Sequence, residues 1–326
     1  MSWFAIESDP GVLTEVIQQM KVKGVRVEEL FSLSRECLND LLPIYGLIFL
    51  CNMRLPQNDN RPVLDPHHCS ANLFFAKQHV NNGFATQAII SILMNCPQLD
   101  IGHPLSNLKE LSRNFPPALK SLSIANDEAI RNAHNSFAKP GPSVPDSTCE
   151  DGVFTFIDYV PVDNNIYELD GLKEGPIYLG DFNGGLDWLD VVIPIIQERV
   201  DKYSHADIEF TVLAVIKDRK EEYNTRLRDL QSRKEQILKE LRERPDAGGN
   251  EAFIESLQRI LGETNSELDL VKHNISMENE KIIKWRKEIK VRKHDYDPFY
   301  FNFLKIVSEK EELNDLIEKA RALQEE

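Results

Sequence analysis

The chain has 326 residues, of which 41% are apolar and 28% charged, with 15 Gly and 17 Pro; this globular composition excludes both a disordered chain and a membrane protein. Lys and Arg number 38 against 53 Asp and Glu, a net charge of -15. Most of it falls in residues 1–218, with 16 Lys+Arg against 29 Asp+Glu, while 219–326 hold 22 against 24. So acidic a first part speaks against nucleic acid, which needs a basic face. It suits a basic protein partner, with a merely soluble acidic surface as the alternative. No apolar run approaches the roughly 18 residues that span a bilayer. The N-terminus MSWFAIESDPG has acids and a Pro-Gly turn where a signal peptide carries basic and apolar residues. Cys37, Cys51, Cys69, Cys96 and Cys149 form an odd set with no CxxC pair, read as reduced thiols of a cytoplasmic and nuclear protein.

In chain order, Pro10-Gly11 opens a helix with Val12, Val16, Ile17 and Met20 at helical spacing and Gly24 just past its end. GLIFLCNM (46–53) is a buried-strand run, followed by a polar loop over 55–70 and a second apolar run, Leu73-Phe74-Phe75. Residues 85–95 read as an apolar helix, and short helices fill 105–137. Lys139–Gly152 (KPGPSVPDSTCEDG) carries every loop signal. Strand-like runs follow at 153–162, 166–171, 176–180 and 208–216, with a helix over 188–203 before the last. A helical block and then closely spaced strands predict an α+β layered domain.

After Asp218 the pattern changes. Tyr223, Leu227, Leu230, Lys234, Ile237 and Leu241 recur at alternating spacings of four and three; the chain breaks at Pro245–Asn250, and the pattern resumes from Leu257 to Ile289. Two such helices predict an antiparallel hairpin with near-coiled-coil crossing, although Lys234 and Glu278 at seam positions weigh against a long coiled coil between chains. The aromatic segment Lys293–Lys305 then leads into a last helix ending at Ala322. Its rings either bind a partner or pack the extension onto its own domain.

Catalytic motifs are scarce: the sequence has no Gly-rich phosphate loop, no HExxH and no GxSxG. His67-His68-Cys69 are adjacent in a loop without a second ligand pair, so no metal is expected there. His134 and His273 fall in predicted helices as solvated or capping residues.

Four stretches carry a resemblance: WFAIESDPGVLTEVI (3–17), FFAKQHVNNGFATQAIISILMN (74–95), NSFAKP (135–140) and YVPVDNNIYELDGLKEGP (159–176). They resemble the ubiquitin C-terminal hydrolases, papain-like cysteine deubiquitinases. The helical extension and KHDYDPF resemble the long, proteasome-associated members of that family. The resemblance implies an α+β, papain-like fold, a sheet flanked by helices, with an α-helical C-terminal extension. The corresponding division is a hydrolase-like domain at 1–218, a helical hairpin at 219–292 and an adaptor-docking segment at 293–326.

In that family a glutamine stabilises the oxyanion, a cysteine at a helix N-terminus attacks, and a histidine oriented by an aspartate is the base. Here Gln78 matches the glutamine and Asp170 the aspartate. Phe84 stands at the nucleophile position and Thr155 at the base position. Phenylalanine has no nucleophile and threonine cannot accept a proton near neutral pH, so the resemblance implies a catalytically inactive homologue with no cofactor and no metal. Cys96 lies about 18 Å along the helix from Phe84 at 1.5 Å per residue, a poor substitute; His79 follows Gln78 with no nucleophile beside it.

The partners implied are ubiquitin, recognised near Trp3 and Phe4, and a proteasomal ubiquitin-receptor adaptor or a chromatin-remodelling subunit, held through Tyr296, Phe299 and Phe303. A phenyl ring at the cleft floor is expected to hinder the Gly-Gly tail of ubiquitin. The Lys139–Gly152 segment corresponds to the family's crossover loop, here stiffened by Pro140, Pro142 and Pro145. Two other readings stay open: an active deubiquitinase with a displaced thiol, and an inert first domain with all binding in the extension.

Overall fold

The computed structural model describes residues 2–53, 61–65, 70, 72–80, 82–138, 153–183, 187–205, 208–243, 251–309 and 317–318. Helix α1 (Pro10–Gln19) starts as its sequence dictates. The Asp9 side chain accepts from the N–H groups of Gly11 and Val12 at 2.8 and 3.3 Å, and Pro10 occupies the first turn, where no N–H is required. The helix ends earlier than Gly24: Lys21 takes the left-handed conformation at φ 69°, and Gly24 at φ 69° belongs to the turn beyond. That turn enters β1 (Val25–Glu29), a strand absent from the sequence reading. Helix α2 (Arg35–Asn39), capped by Ser34, was missed too.

The remaining strands are β2 (Ile44–Met53), β3 (Val153–Val162), β4 (Asn165–Asp170), β5 (Ile177–Asp181) and β6 (Phe210–Lys217). They form one antiparallel sheet in the order β1-β6-β2-β3-β4-β5. Alternation along β3 divides its side chains: Phe156 and Val160 enter one core layer, and Ile157 and Tyr159 the other. The first layer packs the sheet against α1 and α3 (Phe84–Met94), together with α4 (Gly102–Leu111), α5 (Pro117–Asn126) and α6 (Glu128–Asn135). The second packs it against α7 (Trp188–His205) through Trp188, Leu189, Val192 and Ile196, with Leu38 of α2. This is the α+β sheet flanked by helices that the resemblance implied.

Leu73-Phe74-Phe75 form an extended, buried strap rather than a strand. Asn95, just past α3, supplies the missing backbone partners, accepting from Phe74 N–H at 2.7 Å and donating to its carbonyl at 2.8 Å. That clamp carries the chain on to Gln78.

Helices α8 (Arg219–Glu243) and α9 (Glu251–Arg292) pack antiparallel, with Leu230, Leu268 and Val271 buried between them beside Tyr223, Leu227 and Ile275. Past Ile275, α9 turns its side chains onto the first domain. Glu278 pairs with Arg26, Lys281 with Glu28 at 2.6 Å, Arg286 with Glu15 at 2.7 Å, and Arg292 with Glu7 at 2.7 Å. Trp285 lies so close to α1 that a Cβ on Gly11 would stand 2.9 Å from its Cγ, and Ile289 joins the first core layer. The aromatic segment is itself helical: α10 spans Asp297–Glu309. Pro245–Asn250, Lys139–Gly152 and the expected end at Ala322 lie outside the described residues, as do His67, His68, Cys69 and Cys149.

Candidate functional site

The site forms where the strap, the start of α3 and the middle of the sheet converge. Gly83 precedes α3 with no side-chain cap, and a Cβ there would meet Val80 Cγ1 at 2.6 Å and the Trp3 ring at 3.0 Å. The close packing of Val80 and Trp3, not the backbone conformation at φ -103°, favours glycine there. Phe84 follows as the first residue of α3, half-buried against the first core layer. With Gln78, Gln87, Ser91, Asp158 and Gly171 it lines a crevice of about 10 Å³, room for at most about one water.

Gln78 is joined to the ELDG string by backbone. Its N–H donates to the Gly171 carbonyl at 2.8 Å, and a Cβ on Gly171 would overlap its own Cβ at 2.7 Å. Its Oε1 is buried without a hydrogen-bond partner. Asp170 accepts from the Leu172 N–H at 3.0 Å; burial raises its pKa, and that hydrogen bond partly offsets the rise.

The four positions carried over from the family fall into two pairs. Gln78 and Phe84 share the crevice. Thr155 stands opposite Cys51 in the β2–β3 register, and Asp170 opposite Ile157 in β3–β4, so alternation puts both on the face of the second layer. Thr155 is 1% exposed, and its hydroxyl has no partner among the described residues. On the crevice side, β3 contributes Phe156 and Asp158 instead.

Asp158 is the residue that sequence reasoning passed over, although an acid inside the apolar run VFTFIDYVPV was its signal. It is fully buried, and burial first, then the charge of Asp170, pushes its carboxyl well above the usual range; a hydrogen bond from Ser91 pulls the other way. Burial therefore favours the uncharged form of this carboxyl beside the crevice.

His134 corrects a second reading. It is neither solvated nor capping but 0% exposed. Its Nε2 donates to the Phe4 carbonyl at 2.7 Å and its Nδ1 accepts from the Thr86 hydroxyl at 2.8 Å, and burial lowers its pKa. The Trp3 ring sits 4.8 Å from the imidazole, and its indole N–H reaches the Ala125 carbonyl at 3.2 Å. Asn135 accepts from Phe4 N–H at 3.0 Å and donates to the Ser2 carbonyl at 3.0 Å. Trp3 and Phe4 are thus half-buried and fixed beside the start of α3. His273, by contrast, is solvent-exposed.

No thiol among the described residues lines the crevice. Cys96 is buried, and desolvation raises its pKa to about 12; Cys51 is buried and pushed up for the same reason. Cys37 is exposed on α2, away from the crevice. His79 is exposed next to Gln78. The described residues hold no group of three or more His, Cys, Asp or Glu able to bind a metal ion, and none of their helices is long and apolar enough to cross a membrane.

At the far end, Tyr296, Phe299 and Phe303 are 41%, 62% and 50% exposed. Phe299 and Phe303 stack with centroids 6.2 Å apart, one helical turn from each other.

Glutamine strap, helix start and ELDG strand belong to a fold of the ubiquitin-hydrolase class. Residues 3–201 match the family described as ubiquitin carboxyl-terminal hydrolase, family 1, and residues 268–313 match the ubiquitin carboxyl-terminal hydrolases C-terminal model. The chain belongs to this family. It is similar to ubiquitin carboxyl-terminal hydrolase isozyme L5 of Dictyostelium discoideum, 37% identical over 98% of this chain and 95% of that protein. It is similar also to ubiquitin carboxyl-terminal hydrolase ubh-4 of Caenorhabditis elegans, 35% identical over 98% and 91%. Among solved structures, Trichinella spiralis UCH37 bound to ubiquitin vinyl methyl ester superposes with a TM-score of 0.58 at 30% identity, covering 82% of this chain and 99% of that one.

Proposed function

We propose that this chain is a catalytically inactive ubiquitin C-terminal hydrolase homologue, a pseudoenzyme that binds ubiquitin through its first domain and an adaptor through α10. The observation that carries the first part is Phe84 at the opening of α3, where the family's chemistry needs a thiol and where the crevice holds about 10 Å³. A helix N-terminus lowers the pKa of a thiol placed there; a phenyl ring gives it nothing to act on. The described cysteines offer no replacement, because burial keeps Cys51 and Cys96 protonated. Ubiquitin as partner rests on the Trichinella spiralis relative, which was captured with a ubiquitin derivative.

The adaptor rests on α10. Phe299, Phe301 and Phe303 are exposed at 62%, 70% and 50%, more apolar surface than a helix leaves in water without a use. A proteasomal ubiquitin receptor is the adaptor favoured by the resemblance to the long members of the family, with a chromatin-remodelling subunit as the second class. A protein working in those assemblies would be found in cytoplasm and nucleus.

The test is a fluorogenic ubiquitin substrate and a ubiquitin vinyl-ester probe, each offered to the full chain, beside calorimetry with ubiquitin. No turnover and no labelling, together with measurable ubiquitin binding, is the expected result. Turnover or labelling abolished by one Cys→Ala change would establish the displaced-thiol reading instead. Loss of adaptor binding on removing 293–326, with no ubiquitin binding by the remainder, would leave only the reading of an inert first domain.

A further inference from the structure

The crevice at the start of α3 is narrow; at the other end of the same helix the molecule opens into a cavity of about 820 Å³, within the usual range for ligand sites. Its apolar lining is half-buried Leu99 and Phe182, over the buried Leu73, Phe74, Met94 and Ile101. Three cations border it, Lys109 on α4, Arg113 just beyond it and Lys120 on α5. Lys120 stands 5.1 Å from the centre of the Phe74 ring.

The charges are unusual for their surroundings. The first domain carries 29 acids against 16 bases, yet this groove gathers three bases against two acids, Glu110 and Asp163. Asp163 is already engaged, accepting from the Ser70 hydroxyl and from the Asn72 amide at 3.0 Å. Among the described residues, neither Lys109 nor Arg113 has an ion pair. Lys109 is moreover half-buried, and desolvation lowers its pKa. A cation held partly out of water with no counter-charge is stabilised by an incoming anion.

We propose that this groove is a second docking site, taking an extended acidic peptide segment of a partner protein, with an apolar side chain against Leu99 and Phe182 and carboxylates that meet Lys109 and Arg113. The negative field of the rest of the domain repels acidic chains in general. Only a segment whose carboxylates reach both Lys109 and Arg113 gains from the site, so selectivity comes from spacing. The site is independent of the crevice and does not rest on the function proposed above.

The experiment is calorimetry on the full chain with a short peptide of alternating Glu and Leu, against the same peptide with Gln for Glu. Binding of the acidic peptide at least tenfold tighter than the amide peptide is expected, and at least tenfold weaker in the Lys109→Gln, Arg113→Gln double variant at unchanged melting temperature. Raising the salt should weaken it, as partly exposed charges require. Should the double variant melt early, Arg113→Gln alone, at an exposed position, is expected to weaken binding at least threefold. Equal binding of the two peptides, no binding of the acidic one, or indifference to these substitutions would overturn the proposal. Displacement of the peptide by millimolar inorganic phosphate would overturn it in favour of a small-anion site.

Discussion

Replacing Glu168 by Gln is the perturbation whose size follows most directly from the structure. Its carboxylate is 0% exposed. It accepts from Arg61 at 2.6 and 2.9 Å, and from Arg199 at 3.1 Å to each oxygen. Arg199 is 9% exposed beside the Phe49 and Tyr159 rings, and Glu168 is its only ion-pair partner among the described residues. Glu168→Gln preserves volume and removes the charge, leaving a guanidinium buried without a counter-ion. Breaking such a pair from one side costs about 3–5 kcal/mol. Arg61, at 35% side-chain exposure, regains water when released, which places the loss near the lower figure, about 3 kcal/mol. Domain stabilities of about 5–15 kcal/mol make that a large fraction. Urea unfolding followed by tryptophan fluorescence should show the midpoint falling by about 1 M for a slope near 3 kcal/mol per molar. Arg61→Gln, which leaves the Arg199 pair intact, should cost about 1 kcal/mol or less. Glu168→Gln with Arg199→Met should recover much of the loss by removing the orphaned cation. A Glu168→Gln midpoint indistinguishable from the native one would refute the reasoning, and with it the reading of Glu168 as the structural acid of the YELDG string.

Phe84→Ala should cost about 1–2 kcal/mol of stability, below the figure of about 3–5 for a fully buried ring. In calorimetry the native chain should bind full-length and tail-truncated ubiquitin equally, and Phe84→Ala should favour the full-length form about tenfold, or about 1.4 kcal/mol. A strong tail dependence already in the native chain would sink the idea of a blocked floor. For Asp158 the folded pKa lies above the unfolded one, so the folded state keeps a proton that the unfolded chain has released. Stability from this group is present at acid pH and lost as pH rises through the folded value. Asp158→Asn should therefore gain on the native protein as pH rises above the ordinary aspartate value of about 3.9 in paired denaturation curves; a constant difference would contradict the assignment. Phe299→Ala and Phe303→Ala should each weaken adaptor binding by about 2 kcal/mol or more without moving the melting temperature, since both rings are exposed. Native affinity in both would remove them from the interface.

Local patterns were legible where one residue's neighbours in sequence are its neighbours in space. Asp9-Pro10 begins α1, and the apolar run at 85–95 lies within one residue of α3. The motif NSFAKP was legible as a family signature but not as a device. Asn135 is seen to tie down Ser2 and Phe4, 133 and 131 residues away, only once the chain is folded.

The sequence by itself determined the family, the strands and helices from Ile44 to Arg292, and the absence of a thiol at position 84, because these rest on residue identity and local spacing. Tertiary structure alone decided three other matters. Strand β1 was legible in the alternation Val25-Arg26-Val27-Glu28 and was passed over; what only the fold shows is that Arg26 and Glu28 are covered, because Glu278 and Lys281, some 250 residues later, bring matching charges to them. The allocation of Thr155 and Asp170 to one face of the sheet, and of Asp158 to the other, follows from a register set by pairing with β2 and β4. The groove beside Lys109 exists because α4, α5 and the β3–β4 turn meet beyond the end of α3. Each depends on charges and surfaces that are distant in sequence, and only burial makes them neighbours.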